Sequence, residues 1–262
     1  MATLALMTDF GTRDWYVAAM KGVCRSLAPE AAIVDLTNDI PPGDIRAGAF
    51  VLSQCWQTFP RDTVFVGVVD PGVGTARAPL AWRVPSGQTF VGPDNGLFSF
   101  LADHGGEARR LDHPASERET DLALSSLAVP SATFHGRDIF APVAAWLAAG
   151  GAFADVGPVL AEPVIEALPG PGETSLAWFG EVLWIDHFGN AISNFGRNIT
   201  TQLPADTALE ISAGTHLMRF PWRNTFGEVP PGTPLAYCGS GGLLELALNG
   251  ESLARRLHLS PG

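Results

Sequence analysis

Asp70 and Arg77 bracket the segment D-P-G-V-G-T-A-R. A carboxylate and a guanidinium on one glycine-rich loop can share a polar ligand, the first as acceptor and the second as a fixed cation. Pro71 forces an extended-to-turn exit, and Gly72 and Gly74 let backbone approach closely. Upstream lies T-V-F-V-G-V-V, an unbroken apolar run of the kind expected for a strand buried on both faces. In open α/β sheets ligands gather beyond the carboxyl ends of such strands, and Asp70 sits at that end. His135, in T-F-H-G-R-D, precedes a helical pattern from near Asp138 to Gly150, so it stands at a helix N-terminus that favours negative charge. Asp9, Asp14 and Asp186 also follow apolar runs or open helices, and each equally suits a cap or a turn. Arg77 alone also reads as a solvated loop residue, Gly136-Arg137-Asp138 as a salt-bridge corner, and Phe188-Gly189-Asn190 as a hairpin turn.

The elements that must position these residues alternate. Residues 3–8 read as a strand, and 15–27 as a helix with Asp14 as its N-cap. Residues 32–36 read as a second strand, 44–57 as a helix opening at Asp44, and 63–70 as the central strand. That rhythm predicts a helix-covered, mostly parallel sheet. Thr89–Val91 reads as a further strand closing in G-P-D-N-G, a helix begins at Leu97, and residues 105–130 read as polar and irregular. Past L-P-G-P-G-E the pattern changes to short strands: 180–185, A-L-E-I-S, H-L-M-R-F, and two strands around a glycine-rich turn in 234–249. The expectation is an N-terminal α/β domain over 1–169 and a C-terminal antiparallel β domain over 176–262.

Composition removes several classes. Of 262 residues, 46% are hydrophobic and 16% charged, which suits a sizeable core. No apolar run reaches the roughly 18 residues of a membrane helix, and no basic leader precedes the first apolar stretch. The net charge of −11 argues against nucleic acid or anionic lipid as partner. Cys24, Cys55 and Cys238 are odd in number and far apart, which suits free thiols in a reducing cytoplasm rather than disulfides or a zinc site. No dense acidic cluster suggests a metal. Lys21 is the only lysine, and Ala-Ala-Met rather than a glycine-rich loop precedes it, so a Walker-type phosphate site is excluded and a Schiff base is disfavoured.

The motifs taken together go further. M-T-D-F-G, V-D-P-G-V-G-T-A-R, G-P-D-N-G-L, F-H-G-R-D-I-F-A-P and I-D-H-F-G-N-A-I-S-N follow one another over nearly the whole chain. In that order they resemble the S-adenosylmethionine (SAM) hydroxide adenosyltransferases, also called SAM hydrolases and related to the fluorinating and chlorinating enzymes. The resemblance implies a C-terminal β-barrel and a homotrimer, with SAM bound between one subunit's N-terminal domain and its neighbour's C-terminal domain. It implies attack of water or hydroxide on the ribose C5′ of SAM, giving adenosine and L-methionine, with no cofactor and no metal. It places Asp70, Arg77 and His135 around the attacking water. Asp9 is placed at the ribose diol, Asp14 and Asp186 at the methionine ammonium, Asn190 at adenine and Ser240 at the methionine carboxylate. Glu245 and Leu248 are placed where the last strand approaches the ligand.

The chemistry of these residue types agrees with that placement. A sulfonium leaves without acid assistance, but water, with a pKa of about 15.7, is a poor nucleophile. Arg77 supplies positive charge, His135 can accept a proton near neutral pH, and Asp70 can orient the water or the imidazole. The halogenating relatives carry an aromatic residue at the position of Asp70 and a serine at that of Gly136. Their tryptophan beside the ribose is replaced here around Gly43. Two alternatives stand beside hydrolysis: halide-dependent cleavage of SAM to a 5′-halo-5′-deoxyadenosine, and a non-catalytic adenosine- or SAM-binding protein.

Overall fold

The computed structural model describes residues 2–111, 130–166, 168–204, 207–213 and 216–262. The chain divides into two units, Met1–Ala167 and Leu168–Gly262.

The first unit is built on a six-stranded sheet. Its strands are β1 (Thr3–Thr8), β2 (Ala32–Thr37), β3 (Val64–Val68), β4 (Pro79–Arg83), β5 (Thr89–Pro93) and β6 (Glu107–Arg110), in the order β2-β1-β3-β5-β4-β6. The first four in that order are parallel, as the alternating pattern predicts. β3 is buried along its whole length because helices cover both faces of the sheet. Helix α1 (Tyr16–Leu27) and helix α3 (Ala141–Ala148) pack on the face that includes Leu4, Leu6, Val64 and Val66. Helix α2 (Ile45–Cys55), capped by Asp44 through the Ala47 amide at 2.9 Å, lies on the other. A Cβ on Gly48 there would fall 3.1 Å from Val69 and 3.2 Å from Met7, so glycine sets how closely α2 seats.

Three expectations change. Asp14 does not cap α1; Trp15 holds that position, with no side-chain cap. β4 and β6 add an antiparallel pair to the sheet, β6 within the stretch read as irregular. The rest of that stretch, from 112 to 129, lies outside the described residues. The helix after His135 opens with a π turn, Gly136–Phe140, whose Ala141 amide bonds back to the Gly136 carbonyl.

The second unit carries β7 (Gly172–Glu173), β8 (Trp178–Phe179), β9 (Val182–Ile185), β10 (Ala191–Ser193), β11 (Ala208–Ala213), β12 (His216–Pro221), β13 (Pro234–Cys238) and β14 (Leu244–Leu248). Two short helices, α4 (Arg197–Thr200) and α5 (Leu253–Leu257), complete it. β13-β14-β10-β9 form an antiparallel sheet, while β11-β12 and β7-β8 are separate ribbons. The expected closed barrel is therefore corrected: among the described residues the sheet stays open, with β9 and β13 at its edges. Closure needs every strand paired on both sides, and here β11 and β12 pair with each other. Phe220, Leu244, Leu246 and Leu253 form the core of this unit.

Candidate active site

The parallel register decides what meets at the carboxyl end of the first sheet. Leu4 pairs with Val64 and Thr8 with Val68, so Asp9 and Asp70 leave adjacent strands at the same end. The loop after Asp70 then folds back on itself. The Val73 amide donates to the Asp70 carbonyl at 3.2 Å, and Thr75 donates to the Gly72 carbonyl through both its amide and, at 2.7 Å, its hydroxyl. Gly74 has φ +76°, and a Cβ there would lie 2.4 Å from the Ala132 carbonyl oxygen. This contact brings the loop against the segment leading to His135.

Arg77 thereby returns onto Asp70. Its Nε donates to Asp70 Oδ1 at 2.9 Å and its Nη2 to Oδ2. The side chains are 10% and 5% exposed, so this is a buried, two-pronged ion pair. Arg77 also lies over the Phe140 ring at 5.2 Å. Nη2 further reaches His135 Nδ1 at 2.9 Å. A guanidinium only donates, so Nδ1 accepts and the imidazole proton resides on Nε2. Burial, and then the charge of Arg77, hold the imidazole below its ordinary pKa, with Asp70 and Asp138 acting against them. Arg77 Nη1 is buried and has no hydrogen-bond partner among the described residues. Asp138 does not point into this group. It is 2% exposed, paired with Arg137, and accepts from the Ser131 amide at 2.8 Å, which is the salt-bridge corner.

Asp9 accepts the Gly43 amide at 2.8 Å. Its loop is fixed from below: Thr8 Oγ1 donates to Asn38 Oδ1 at 2.9 Å, and the Gly11 amide donates to the Asn38 carbonyl at 2.7 Å. Sequence reasoning passed over Asn38; its signal is a buried amide in T-N-D directly after a strand. Asp14 is exposed at the start of α1. Phe10, Tyr16 and Phe134 pack edge to face or tilted, with centroids 5.2–6.0 Å apart. They join the Asp9 loop, the start of α1 and the residue before His135. The first unit thus gathers Asp9, Asp70, Arg77 and His135 at one end of its sheet.

In the second unit Asp186 is engaged by its own turn. Its Oδ1 accepts the Phe188 and Asn190 amides at 2.9 and 2.8 Å, and its Oδ2 accepts Asn190 Nδ2 at 2.8 Å. Across β13 and β14, Tyr237 donates its hydroxyl to Glu245 Oε2 at 2.5 Å. Gly239 makes room for that carboxylate, since a Cβ there would lie 1.7 Å from Glu245 Oε1. Burial raises the Glu245 pKa, the Tyr237 hydrogen bond lowers it, and the nearby Asp186 charge raises it again. Ser240 is exposed in the β13–β14 turn. Leu248 differs from the other residues expected at the ligand: its side chain is 4% exposed and packs in the core of the unit.

Among the described residues no group of three or more His, Cys, Asp or Glu side chains could hold a metal ion. No helix among them is long and apolar enough to cross a membrane.

A carboxylate–guanidinium–imidazole group at the carboxyl end of an α/β sheet, with a separate β unit following in the chain, defines a two-unit protein built for a small polar ligand. Comparisons with known proteins narrow the class. The family model for the SAM hydroxide adenosyltransferase N-terminal domain matches residues 4–157, and that for the C-terminal domain matches residues 180–262. The chain belongs to the SAM hydroxide adenosyltransferase family. It is 42% identical to the (R)-S-adenosyl-L-methionine hydrolase of Thermus thermophilus, over 100% of this chain and 98% of that protein. It is 31% identical to the fluorinase of Nocardia brasiliensis, over 99% of this chain and 94% of that one. The solved structure of an uncharacterized conserved protein from Thermotoga maritima superposes with a TM-score of 0.90 at 32% identity, covering 99% and 97% of the two chains.

Proposed function

We propose that this protein is an enzyme that hydrolyses SAM at the ribose C5′, giving adenosine and L-methionine. The observation that carries the reading is the contact chain Asp70–Arg77–His135, half-buried at the same end of the sheet as Asp9. It is supported by likeness over the full chain to a named hydrolase, stronger than that to a fluorinase.

In this reading the Arg77 guanidinium is the fixed positive charge beside the attacking oxygen. The C5′–O bond forms as the C5′–S bond breaks, and the bonding pair passes to sulfur, which becomes the neutral thioether of methionine. The oxygen grows acidic as the new bond forms. His135 Nδ1 takes its proton when Arg77 Nη2 shifts from the ring toward that oxygen, and solvent receives the proton afterwards. Asp70 holds Arg77 Nε through that shift. Asp9 receives the ribose diol, since an ionised carboxylate only accepts hydrogen bonds. By resemblance Asp14, Asp186 and Ser240 are assigned to the methionine end and Asn190 to adenine, with Glu245 and Leu248 where the last strand approaches the ligand. SAM is the substrate, and the reaction calls for no cofactor. The same resemblance supports a homotrimer with active sites at subunit interfaces. Three free thiols suit a cytoplasmic location.

Incubation of SAM in H₂¹⁸O tests the reading: the label is expected in the 5′-hydroxyl of adenosine, with methionine unlabelled. A chloride-dependent halonucleoside peak would overturn it in favour of halogenation. Tight adenosine binding without methionine release would overturn it in favour of a binding protein.

A further inference from the structure

We propose that Asn95 is a positioning residue that fixes where Asp70 leaves the sheet and, through it, the aim of Arg77. The proposal rests on the roles read above for Asp70, Arg77 and His135. β3 and β5 are paired in parallel register, Val64 with Thr89, Phe65 with Phe90 and Val66 with Val91. The backbone pairing of the two strands ends at Val66 and Val91, short of the Val69 carbonyl. Val69 is fully buried, and a buried carbonyl requires a donor.

Asn95 supplies it. Its Nδ2 donates to the Val69 carbonyl at 2.9 Å, beyond the last backbone pair of β3 and β5. The other end of the amide is fixed as well, since the Leu97 amide donates to Asn95 Oδ1 at 3.2 Å. Only one orientation of the amide satisfies both partners. The carbonyl it holds belongs to the planar peptide whose nitrogen is that of Asp70, so the tether sets the plane from which the Asp70 side chain departs. Arg77 follows, because its Nε and Nη2 are both held by that carboxylate, and Nη2 is also the contact to His135. The motif G-P-D-N-G, which the reaction does not otherwise use, acquires a purpose at the reacting end of the sheet.

Asn95→Asp tests this. It preserves size and the acceptor for Leu97 but replaces the donor to Val69 with a carboxylate oxygen. kcat for SAM is expected to fall about ten- to a hundredfold, the cost of misplacing a reacting group by about 1 Å, while KM stays close to wild type. In ¹⁵N-edited spectra the Arg77 Nε–H signal, assigned by its loss in Arg77→Lys, is expected to exchange with water faster than in the wild type. An unchanged kcat per folded molecule with an unchanged Arg77 signal, whatever the melting temperature does, would overturn the proposal. So would a rise in KM that alone accounts for the lost kcat/KM. If the wild type itself failed to turn over SAM, the hydrolase reading would fall, and the Arg77 exchange rate would still decide the positioning role of Asn95.

Discussion

Arg77 donates from Nη2 to Nδ1 of His135 at 2.9 Å, although the two lie 58 positions apart in the chain. The contact fixes the imidazole as an acceptor at Nδ1 and opposes its protonation, because a second positive charge would face the guanidinium. Burial first, and then this charge, hold His135 below its ordinary value of 6.5. Histidine NMR titration should show this directly. Arg77→Gln removes a charge that depresses the pKa and should move it up, and Asp70→Asn removes a charge that raises it and should move it down. The sign for stability follows: the depressed pKa stabilises the fold fully above 6.5 and loses that contribution as pH falls through the folded-state value.

Asp70 and Arg77 form a buried pair, and removing one partner strands the other's charge. Asp70→Ala should cost about 3–5 kcal/mol of stability in the first unit, read by urea unfolding. The double variant Asp70→Leu/Arg77→Met should recover most of that loss while remaining inactive. Equal instability of single and double variants would contradict the account of the pair.

Asp9→Ala should act on binding. Losing charge-assisted hydrogen bonds of about 1.5–3 kcal/mol predicts a KM for SAM raised roughly ten- to a hundredfold, with kcat little changed. Asp9→Asn keeps an acceptor for the Gly43 amide and should be milder. A fall in kcat larger than the rise in KM would move Asp9 into the chemistry.

Glu245 titrates above the usual carboxylate range, and Tyr237 partly restrains it. If Glu245 meets the substrate as an anion, KM for SAM should rise as pH falls, because protonation removes the charge. In Tyr237→Phe the restraining hydrogen bond is gone, so that rise should begin at a higher pH. In Glu245→Gln the profile should be flat over the same range, and an unchanged slope would remove Glu245 from the binding site.

The strands and helices of the first half are legible in the sequence wherever one period dominates: T-L-A-L-M-T, the α1 stripe of Val17, Met20 and Cys24, and the run before Asp70. β4 and β6 are not, because P-L-A-W-R opens on a proline and E-A-R-R is charged, as suits the antiparallel margin of a sheet. Asp70 and Arg77 are legible as a pair because one short loop carries both. The meeting of Arg77 with His135 is not, since it depends on the close seating of Gly74 against Ala132. The Asp186–Asn190 hydrogen bonds are foreshadowed by the hairpin reading of F-G-N. The side-chain burial of Leu248 is hidden in an alternation that reads the same from either face of β14.

The π turn at Gly136–Phe140 separates two demands on one helix. Each residue of a regular helix turns by about 100°, so the direction of His135 and the inward face of Ala141, Ala144 and Ala145 would be locked in phase. The extra residue in the wider turn acts as a phase adjuster, letting the alanines stay packed while the imidazole is swung to meet its guanidinium. Deleting Ile139 would restore the regular winding, and the chain would then have to choose between its interior and its reactive end.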